Sequence, residues 1–272
     1  MRKIQVSRID VSTRTLQQKT DFLAEETPLH IFLNQTHYVT ILCSPEQLKE
    51  LAIGHLIAEG ILKSTDEIQE TRLEKDGKCL VRLIPGIDAE KRISISQPFA
   101  RLIVSACGSP DYWPLSKLVD RIALIKLESG LTVEAKTISE SVKQLNILAQ
   151  SFRRTGGVHV AALYSESGGL VALSEDVGRH NAVDKVIGAG TTKKLKFENL
   201  FLALSGRLTG DIVLKAARTR ISIVASMAAA LNSGVEAAHL TGITLVGFVR
   251  GKRMNVYTYP KRIEYNFQNV LN

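Results

Sequence analysis

The sequence predicts an α/β protein, with a three-layer α/β domain in its second half and a smaller α+β domain before it. Helix and strand patterns alternate regularly after residue 139. Residues 85–114 contain four prolines and predict loops between the two regions. The chain has 272 residues, 44% of them apolar, which is enough for a sizeable core. We expect the N-terminal domain to span 1–135 and the C-terminal domain 136–272.

The N-terminal domain is predicted to begin with strands and one helix. Strands are expected over 4–11, 29–33, 38–42 and, as a hairpin around Asp76-Gly77, over 68–84. Ser44 is expected to cap the helix that follows, with Pro45 as its first residue and Gln47 as the third residue of a capping box. Gly60 is expected to end this helix.

The remaining elements follow from apolar periodicity and from the glycines that punctuate it. The predicted helices cover 116–126, 139–153, 181–189, 209–219 and 233–240. The predicted strands cover 158–164, 170–174, 200–204, 222–226, 244–249 and 255–259. This order favours a sheet with helices on both faces.

The charge excess lies in one half of the chain. The net charge is +8, with 35 basic and 27 acidic residues. Residues 1–130 carry 17 of each, so the whole excess falls after residue 130. Such a field favours an anionic partner, while solubility alone is the alternative interpretation. Aromatic residues make up only 6%, which disfavours a nucleic-acid binder that stacks bases.

The cysteines and the hydropathy pattern exclude other classes. Three cysteines, Cys43, Cys79 and Cys107, match neither a disulfide framework nor a zinc finger, so we expect reduced thiols in a cytoplasmic protein. Cys43 and Cys79 fall in apolar strand patterns and are expected in the core. The N-terminus lacks a signal-peptide pattern, and no apolar run is long enough to span a membrane.

Cys107 is the candidate nucleophile. It lies in a loop of small residues, Ser105-Ala106-Cys107-Gly108-Ser109, which would leave its sulfur accessible. A nearby positive charge would stabilise its thiolate. A buried, packed cysteine is the alternative interpretation.

The densest polar run is Glu175-Asp176-Val177-Gly178-Arg179-His180-Asn181, between a predicted strand and a predicted helix. Ligands of α/β sheets bind at such strand ends. Helix capping by Asp176 or Asn181 would account for one of its five polar groups, but not for all of them. His180 is a candidate acid–base group or hydrogen-bond donor.

Two further segments predict phosphate contacts. Ser205, Gly206 and Arg207 precede Thr209 at another strand-to-helix junction, where backbone N–H groups, a hydroxyl and a guanidinium could hold a phosphate. Residues 250–253, Arg-Gly-Lys-Arg, place three cations in a tight turn, and a solvated hairpin tip is the alternative interpretation.

The predicted order of elements resembles the cytidine-deaminase-like fold. Zinc deaminases need a His-x-Glu and a Pro-Cys-x-x-Cys motif to hold the metal. The chain has neither, and it has no cysteine after residue 107. We therefore expect no zinc and no hydrolytic deaminase activity, even on that scaffold.

Several motifs together resemble the formate dehydrogenase accessory sulfurtransferase family (FdhD). The most specific is EDVGRHNAVDK, residues 175–185. The others are TGGVHVAA at 155–162, SGR at 205–207, TLVGF at 244–248, NVYT at 255–258, ETPL at 26–29 and the helix over 51–60. The resemblance covers about residues 25–260.

This resemblance implies a cytoplasmic homodimer that takes up sulfur from a cysteine desulfurase as a persulfide. The sulfur would pass to the bis-molybdopterin guanine dinucleotide form of the molybdenum cofactor, which serves formate dehydrogenase. Cys107 matches the first cysteine of the family's Cys-Gly-x-Cys loop. Phe248, Val249, Arg250, Gly251, Lys252 and Arg253 match its cofactor-binding segment.

The leading hypothesis therefore assigns persulfide chemistry to Cys107 and the binding of a guanine-nucleotide-like polyanion to the C-terminal domain. Arg207 and the cations of 250–253 would hold phosphates. Asp176, Arg179 and His180 would shape the site. Pro110 stands where the family has its second loop cysteine, which excludes a two-cysteine relay but not a single-thiol carrier. The rivals are a non-catalytic cofactor chaperone and, more weakly, a nucleic-acid-binding protein.

Overall fold

The computed structural model describes residues 1–96 and 126–265 and confirms the predicted mixed α/β class. The described residues of the first half form a two-stranded and a four-stranded sheet. These strands are β1 (Arg2–Asp10), β2 (Thr15–Leu23), β3 (Thr27–Leu33), β4 (Thr36–Cys43), β5 (Ile68–Leu73) and β6 (Lys78–Leu83). β1 pairs with β2, and the larger sheet has the order β4-β3-β6-β5. The described residues of the first half also form the helices α1 (Leu48–Ala58) and α2 (Ala89–Ser96).

The predicted start of α1 is wrong. Ser44 does not cap the helix, which begins after Gln47, a residue in the left-handed region at φ 54°. Instead, the backbone N–H of Ser44 donates to Asp176 at 2.9 Å, and its hydroxyl accepts from Val177 N at 3.1 Å. The hydroxyl of Ser44, which the local sequence predicted as a helix cap, therefore bonds to a residue more than 130 positions away in the chain.

α2 is a second correction, since only loops were predicted over 85–114. Asp88 Oδ1 accepts a hydrogen bond from Lys91 N at 2.9 Å, as an N-terminal cap does. Pro85 precedes the helix and does not interrupt it. The helix predicted over 116–126 lies almost entirely outside the described residues.

In the second half, the residues that the structure describes form a six-stranded sheet and five α-helices. Short strands β7 (Val133–Glu134) and β14 (Ile263–Glu264) pair separately. The sheet consists of β8 (His159–Ser165), β9 (Leu170–Asp176), β10 (Leu200–Leu204), β11 (Ile223–Ser226), β12 (Thr244–Arg250) and β13 (Arg253–Val256). The helices are α3 (Ala135–Leu148), α4 (Gln150–Thr155), α5 (Arg179–Thr192), α6 (Gly210–Arg218) and α7 (Asn232–Thr241). One continuous helix over 139–153 was predicted, and the break at Ala149 corrects it.

The sheet order is β13-β12-β11-β10-β8-β9, and helices cover both of its faces. On one face α3 packs Ile138, Val142 and Leu145 against the sheet residues Tyr164 and Phe201. On the other face α5, α6 and α7 bury their apolar residues in a cluster that also includes α1 and the inner face of β3 and β6. The core is therefore shared between the two halves, and the boundary at residue 135 stays a prediction.

α1 and α5 touch backbone to backbone at two glycines. A Cβ built on Gly54 would lie 1.7 Å from the carbonyl oxygen of Asp184, and one built on Gly188 would lie 1.9 Å from that of Glu50. Any side chain at either position would force the helices apart. This contact fixes the N-terminal half on the helix that begins at the polar run. No helix within 1–96 and 126–265 has the length and apolarity needed to cross a bilayer.

Candidate functional site

Six strand ends meet at one edge of the six-stranded sheet. The carboxyl ends of β9, β10, β11 and β12 lie there with the amino ends of β8 and β13, because β8 runs antiparallel to β9 and β10, β13 runs antiparallel to β12, and β10, β11 and β12 are parallel. His159 accordingly pairs with Asp176, and Leu204 with Ala161. The segments that the sequence analysis selected, 175–181, 205–209 and 248–253, lie at or just beyond these strand ends.

Backbone hydrogen bonds join the loops at this edge. Leu208 N donates to the carbonyl of Ala229 at 2.9 Å, and Phe248 N donates to that of Ala228 at 2.9 Å. The loop after β11 is thereby connected both to the loop after β10 and to the end of β12. The edge is a continuous surface on which separate segments of the chain hold fixed positions.

Asp176 lies behind this surface and not on it. The residue is fully buried, and its Oδ2 is 2.6 Å from Lys185 Nζ and accepts from Ser44 N at 2.9 Å. Its Oδ1 accepts from Gly178 N at 2.8 Å and from Asn181 Nδ2 at 2.9 Å. We call these five residues the closed cluster. Asp176 was expected to shape the site together with Arg179 and His180, and the structure gives it a supporting role from behind the surface, because protein donors already surround its carboxylate.

Glu175 also has a structural role. Its Oε1 accepts from Phe152 N at 2.7 Å and its Oε2 from Ser151 N at 3.0 Å, so the carboxylate caps the first turn of α4. The carboxylates of Glu175 and Asp176 and the amide of Asn181 are therefore bound by the protein. His180 differs from them, since its Nε2 has no hydrogen bond in the described structure.

Arg179 packs on the loop that follows β10. A Cβ built on Gly206 would lie 2.8 Å from the Cβ of Arg179, so glycine is needed for this close approach. Ser205 holds the same loop in place, since its hydroxyl accepts from Val160 N at 3.0 Å. Ser205 and Gly206 thus position the segment that carries Arg207.

His159 is a site residue that the sequence analysis missed. It lies at the start of β8, with Nδ1 3.3 Å from the Ser205 hydroxyl. Burial, and then the charges of Arg179 and Arg207, lower the pKa of His159. The imidazole is therefore neutral at pH 7, and both guanidinium groups are near it. Its cross-strand pairing with Asp176 was the signal that could have identified it.

Arg207 and Thr209 lie at the N-terminus of α6. Arg207 is exposed, whereas Thr209 is 7% exposed and its Oγ1 is buried without a hydrogen-bond partner in the described structure. Thr209 is also the N-cap residue of α6, but its side chain makes no capping bond. A hydroxyl and a guanidinium are thus available beside a helix N-terminus, where an anion is favoured.

His180 lies in the first turn of α5 and faces α6. Its Nε2 is 4.0 Å from Asp211 Oδ2, which is too long for a hydrogen bond. Burial, followed by the charges of Lys215 and Arg179, lowers the pKa of His180 to about 4. His180 is consequently uncharged at neutral pH.

A buried ion cluster behind His180 was not predicted. Lys215 Nζ lies 2.6 Å from Glu59 Oε1 and 2.9 Å from Asp184 Oδ1, and His55 Nδ1 lies 3.0 Å from Asp184 Oδ2. Burial is the largest effect on the pKa of Glu59 and would raise it, but the charges of Lys215, His55 and Arg218 and the hydrogen bond from Lys215 together outweigh burial and hold that pKa well below its ordinary value. A lysine inside the apolar run of α6 was the available sequence signal.

The cations of residues 250–253, here named the cationic turn, join β12 to β13. Gly251 has φ 59°, and Arg250 pairs with Arg253 across the turn. Arg250, Lys252 and Arg253 are all exposed. Within 1–96 and 126–265, no carboxylate forms an ion pair with these three residues or with Arg207. We call His180, Arg207, Thr209 and the cationic turn the open cluster.

The residues beside the cationic turn have different environments. Phe248 is 37% exposed, has φ 50°, and lies under the Arg250 guanidinium at 5.4 Å. Val249 is buried in the core against α3, so its role is to anchor the turn. A cavity of about 350 Å³ opens next to it, lined by Ser139, Val142, Lys143, Asn146, Met227, Val249, Arg250 and Gly251. Lys143 adds a cation that the sequence analysis did not select.

The structure confirms the predicted core positions of Cys43 and Cys79, the two cysteines that it describes. Cys43 and Cys79 are buried, and burial raises the pKa of their thiols to about 12 and about 11. Neither is a reactive thiolate at neutral pH. Cys107 lies outside the described residues, so its assignment stays a prediction.

The chain matches proteins of known family. The model of the FdhD/NarQ family matches residues 24–264. The sulfur carrier protein FdhD of Sulfolobus acidocaldarius is 37% identical over 269 residues, covering 97% of this chain and 99% of that protein. The sulfur carrier protein FdhD of Methanothermobacter thermautotrophicus is 34% identical over 262 residues, covering 96% and 98%.

A solved structure agrees with these relatives. The crystal structure of a protein described as a formate dehydrogenase accessory protein, from Desulfotalea psychrophila, has a TM-score of 0.76 and 27% identity, and covers 96% of this chain and 98% of that one. Sequence and structure thus match over nearly the full length. The chain belongs to the FdhD/NarQ family.

Proposed function

We propose that this protein is a sulfur carrier that delivers sulfur to the molybdenum cofactor of formate dehydrogenase. One observation carries the proposal: a chain whose relatives are named sulfur carriers presents, at the strand-end edge of its sheet, a row of exposed cations that form no ion pair with a carboxylate of the described residues. The fold alone would not identify a ligand. The exposed cations at this edge, and the Thr209 hydroxyl without a hydrogen-bond partner in the described structure, indicate an anionic ligand.

The open cluster suits a ligand with phosphate or diphosphate groups. Arg207 lies at the N-terminus of α6, and the cationic turn lies at the end of β12 on the same edge. A guanidinium group can donate two parallel N–H hydrogen bonds to two oxygens of one phosphate, and a helix N-terminus adds backbone N–H donors. The ligand in the proposal is bis-molybdopterin guanine dinucleotide, for which guanosine diphosphate is the experimental probe.

Cys107 is the proposed sulfur-bearing residue. Its thiolate would attack the outer sulfur of a persulfide on a cysteine desulfurase, forming the Cys107 persulfide and returning the donor as its thiolate. One thiol is sufficient for this exchange, so Pro110 at the second cysteine position is compatible with it. A cytoplasmic homodimer and a deaminase-like scaffold for the second half are parts of the same proposal.

Intact mass spectrometry tests the carrier role. The protein is incubated with a cysteine desulfurase and cysteine, and we expect it to gain the mass of one sulfur atom. The gain should disappear in Cys107→Ala and persist in Cys43→Ala, since the Cys43 thiol is buried. Absence of the gain in the wild-type protein would exclude persulfide transfer from that donor.

A second candidate function is a cofactor chaperone that uses no thiol chemistry. Pro110 in place of the second loop cysteine favours it. Cys107→Ala separates the two functions when formate dehydrogenase activation is measured together with guanosine diphosphate binding. A chaperone keeps both properties in this variant, whereas a carrier keeps binding and loses activation.

A further inference from the structure

The proposed function assigns no ligand group to the cavity beside the cationic turn. The volume of this cavity is about 350 Å³, which lies within the range of small-molecule sites, about 300–1,000 Å³. It opens between α3 on one side and the carboxyl ends of β11 and β12 on the other. The cationic turn forms part of its wall through Arg250 and Gly251. A molecule in the cavity would therefore lie next to the cations that are proposed to bind phosphate.

Two hydrogen bonds hold the walls of the cavity in place. The Ser139 hydroxyl of α3 donates to the carbonyl of Gly251 at 2.5 Å. Arg250 Nε donates to the carbonyl of Met227, the residue that follows β11, at 3.1 Å. Val249 is 4% exposed and packs in the core with α3. The cavity is therefore preformed, and a ligand would not have to order a loop in order to bind.

One face of α3 supplies the polar lining. Four residues at steps of three and four positions share this face: Ser139, Val142, Lys143 and Asn146. Val142 is buried, whereas Lys143 and Asn146 are exposed. No carboxylate in the described part of the chain forms an ion pair with Lys143. An ammonium group and an amide are thus available beside an apolar floor.

A second cavity of similar size lies at the opposite edge of the sheet and differs in charge. Its volume is about 380 Å³, and its lining includes three carboxylates, those of Glu128, Glu166 and Glu198. The described residues that line the cavity beside the cationic turn include two cations, Lys143 and Arg250, and no carboxylate. Of these two cavities, the one beside the cationic turn suits part of an anionic ligand.

The lining of this cavity suits a nucleobase better than a further phosphate. A planar base gains from burying its faces against apolar side chains such as Val142, Met227 and Val249, whereas a phosphate does not. Lys143 has three N–H donors and no acceptor. Guanine presents two neighbouring acceptors, O6 and N7, whereas adenine presents the N7 acceptor beside the N6 donor. Lys143 therefore favours guanine.

We propose that this cavity holds the base of the nucleotide whose phosphates lie on the cationic turn, and that Lys143 selects guanine over adenine by donating to O6 and N7. The inference rests on the proposed function for the class of ligand, a diphosphate-bearing nucleotide. It adds to that function a base-binding site and a residue that determines specificity. Asn146, three residues further along the same face of α3, borders the same base.

The test measures the dissociation constants of guanosine diphosphate, adenosine diphosphate and inorganic diphosphate by calorimetry. Lys143→Met removes the ammonium group, and Lys136→Met, at an exposed lysine of α3 outside the cavity lining, is its matched control. Asn146→Trp fills the cavity from its rim, and Ile147→Trp, at the exposed neighbouring residue outside the lining, is its matched control. All four positions are exposed, and thermal unfolding verifies that each variant is folded.

In the wild-type protein, we expect guanosine diphosphate to bind roughly tenfold more tightly than adenosine diphosphate, and inorganic diphosphate to bind more weakly than either nucleotide. Lys143→Met should reduce the preference for guanine to about twofold or less, whereas Lys136→Met should keep it. Asn146→Trp should weaken the binding of both nucleotides roughly tenfold and leave that of inorganic diphosphate within about twofold of the wild type. Ile147→Trp should bind all three probes as the wild type does.

Equal affinity of the wild type for guanosine diphosphate and inorganic diphosphate would overturn the inference and leave the phosphate contacts of the proposed function intact. A full preference for guanine in Lys143→Met, or equal nucleotide affinities in Asn146→Trp and its control, would overturn it as well. Absence of binding for all three probes would refute the inference together with the proposed ligand. The failure of the base site and the failure of the proposed function are therefore distinguishable.

Discussion

The closed and open clusters lie beside each other and differ in how their polar groups are bonded. In the closed cluster, the Asp176 carboxylate accepts from Ser44, Gly178 and Asn181 and pairs with Lys185. In the open cluster, described carboxylates do not pair with Arg207, and the Thr209 hydroxyl is buried without a partner in the described part of the chain. Residues of one polar run, 175–181, contribute to both clusters.

The difference in bonding distinguishes residues that support the fold from candidate ligand-binding residues more clearly than the sequence motif does. A buried charge surrounded by protein donors cannot be removed without leaving those donors unsatisfied, and it has no capacity left for a ligand. Cations without carboxylate partners retain that capacity. The comparison therefore predicts that closed-cluster variants change stability and that open-cluster variants change ligand affinity.

Asp176→Ala should have the largest effect, because it leaves the Lys185 ammonium buried without its counter-charge. We expect a loss of about 3–5 kcal/mol in the free energy of unfolding, measured by urea denaturation followed by circular dichroism. The paired variant Asp176→Leu with Lys185→Met is the control and should recover the part of the loss that comes from the unpaired ammonium, while the N–H groups of Ser44 and Gly178 stay without their acceptor. A change in Asp176→Ala within about 0.5 kcal/mol would contradict a structural role for the pair.

Ser44→Ala should have a smaller effect on the same property. The Val177 N–H would lose its acceptor at 3.1 Å, and we expect a loss of about 1–2 kcal/mol. Ser64→Ala is the matched control, since Ser64 caps an exposed turn through Asp66 N at 3.2 Å and should cost less. Equal losses in both variants would show that the hydrogen bond from Val177 N, just after β9, to the Ser44 hydroxyl stabilises the protein no more than an ordinary cap does.

Lys252→Gln and Arg253→Gln should have the smallest effect, and on affinity alone. Each removes one exposed charge from the cationic turn, so we expect guanosine diphosphate binding to weaken by roughly two- to fivefold at low salt and by less at high salt. Lys196→Gln, an exposed cation that precedes β10 at the opposite edge of the sheet, is the control. An equal effect from Lys196→Gln would mean that net charge, and not position, controls binding.

The sequence predicted the parts of the fold that depend on local periodicity. The apolar runs at 200–204 and 222–226 gave β10 and β11 nearly to the residue, and the cationic turn was placed correctly. Ser44 was misassigned because its partner is 132 residues away in the sequence. Lys215 and His159 were missed because their roles depend on groups from other elements. The signals at these two positions, a lysine in an apolar helix and a histidine opposite Asp176 on paired strands, do not show which groups they contact.

The most direct test of the central claim is a titration of guanosine diphosphate into Arg207→Gln, together with its thermal unfolding. Arg207 is exposed and carries a charge that no described carboxylate neutralises. We predict binding weaker by about ten- to a hundredfold, with the unfolding temperature of the wild type. Wild-type affinity, or a loss of stability like that of Asp176→Ala, would contradict the assignment of this edge to ligand binding.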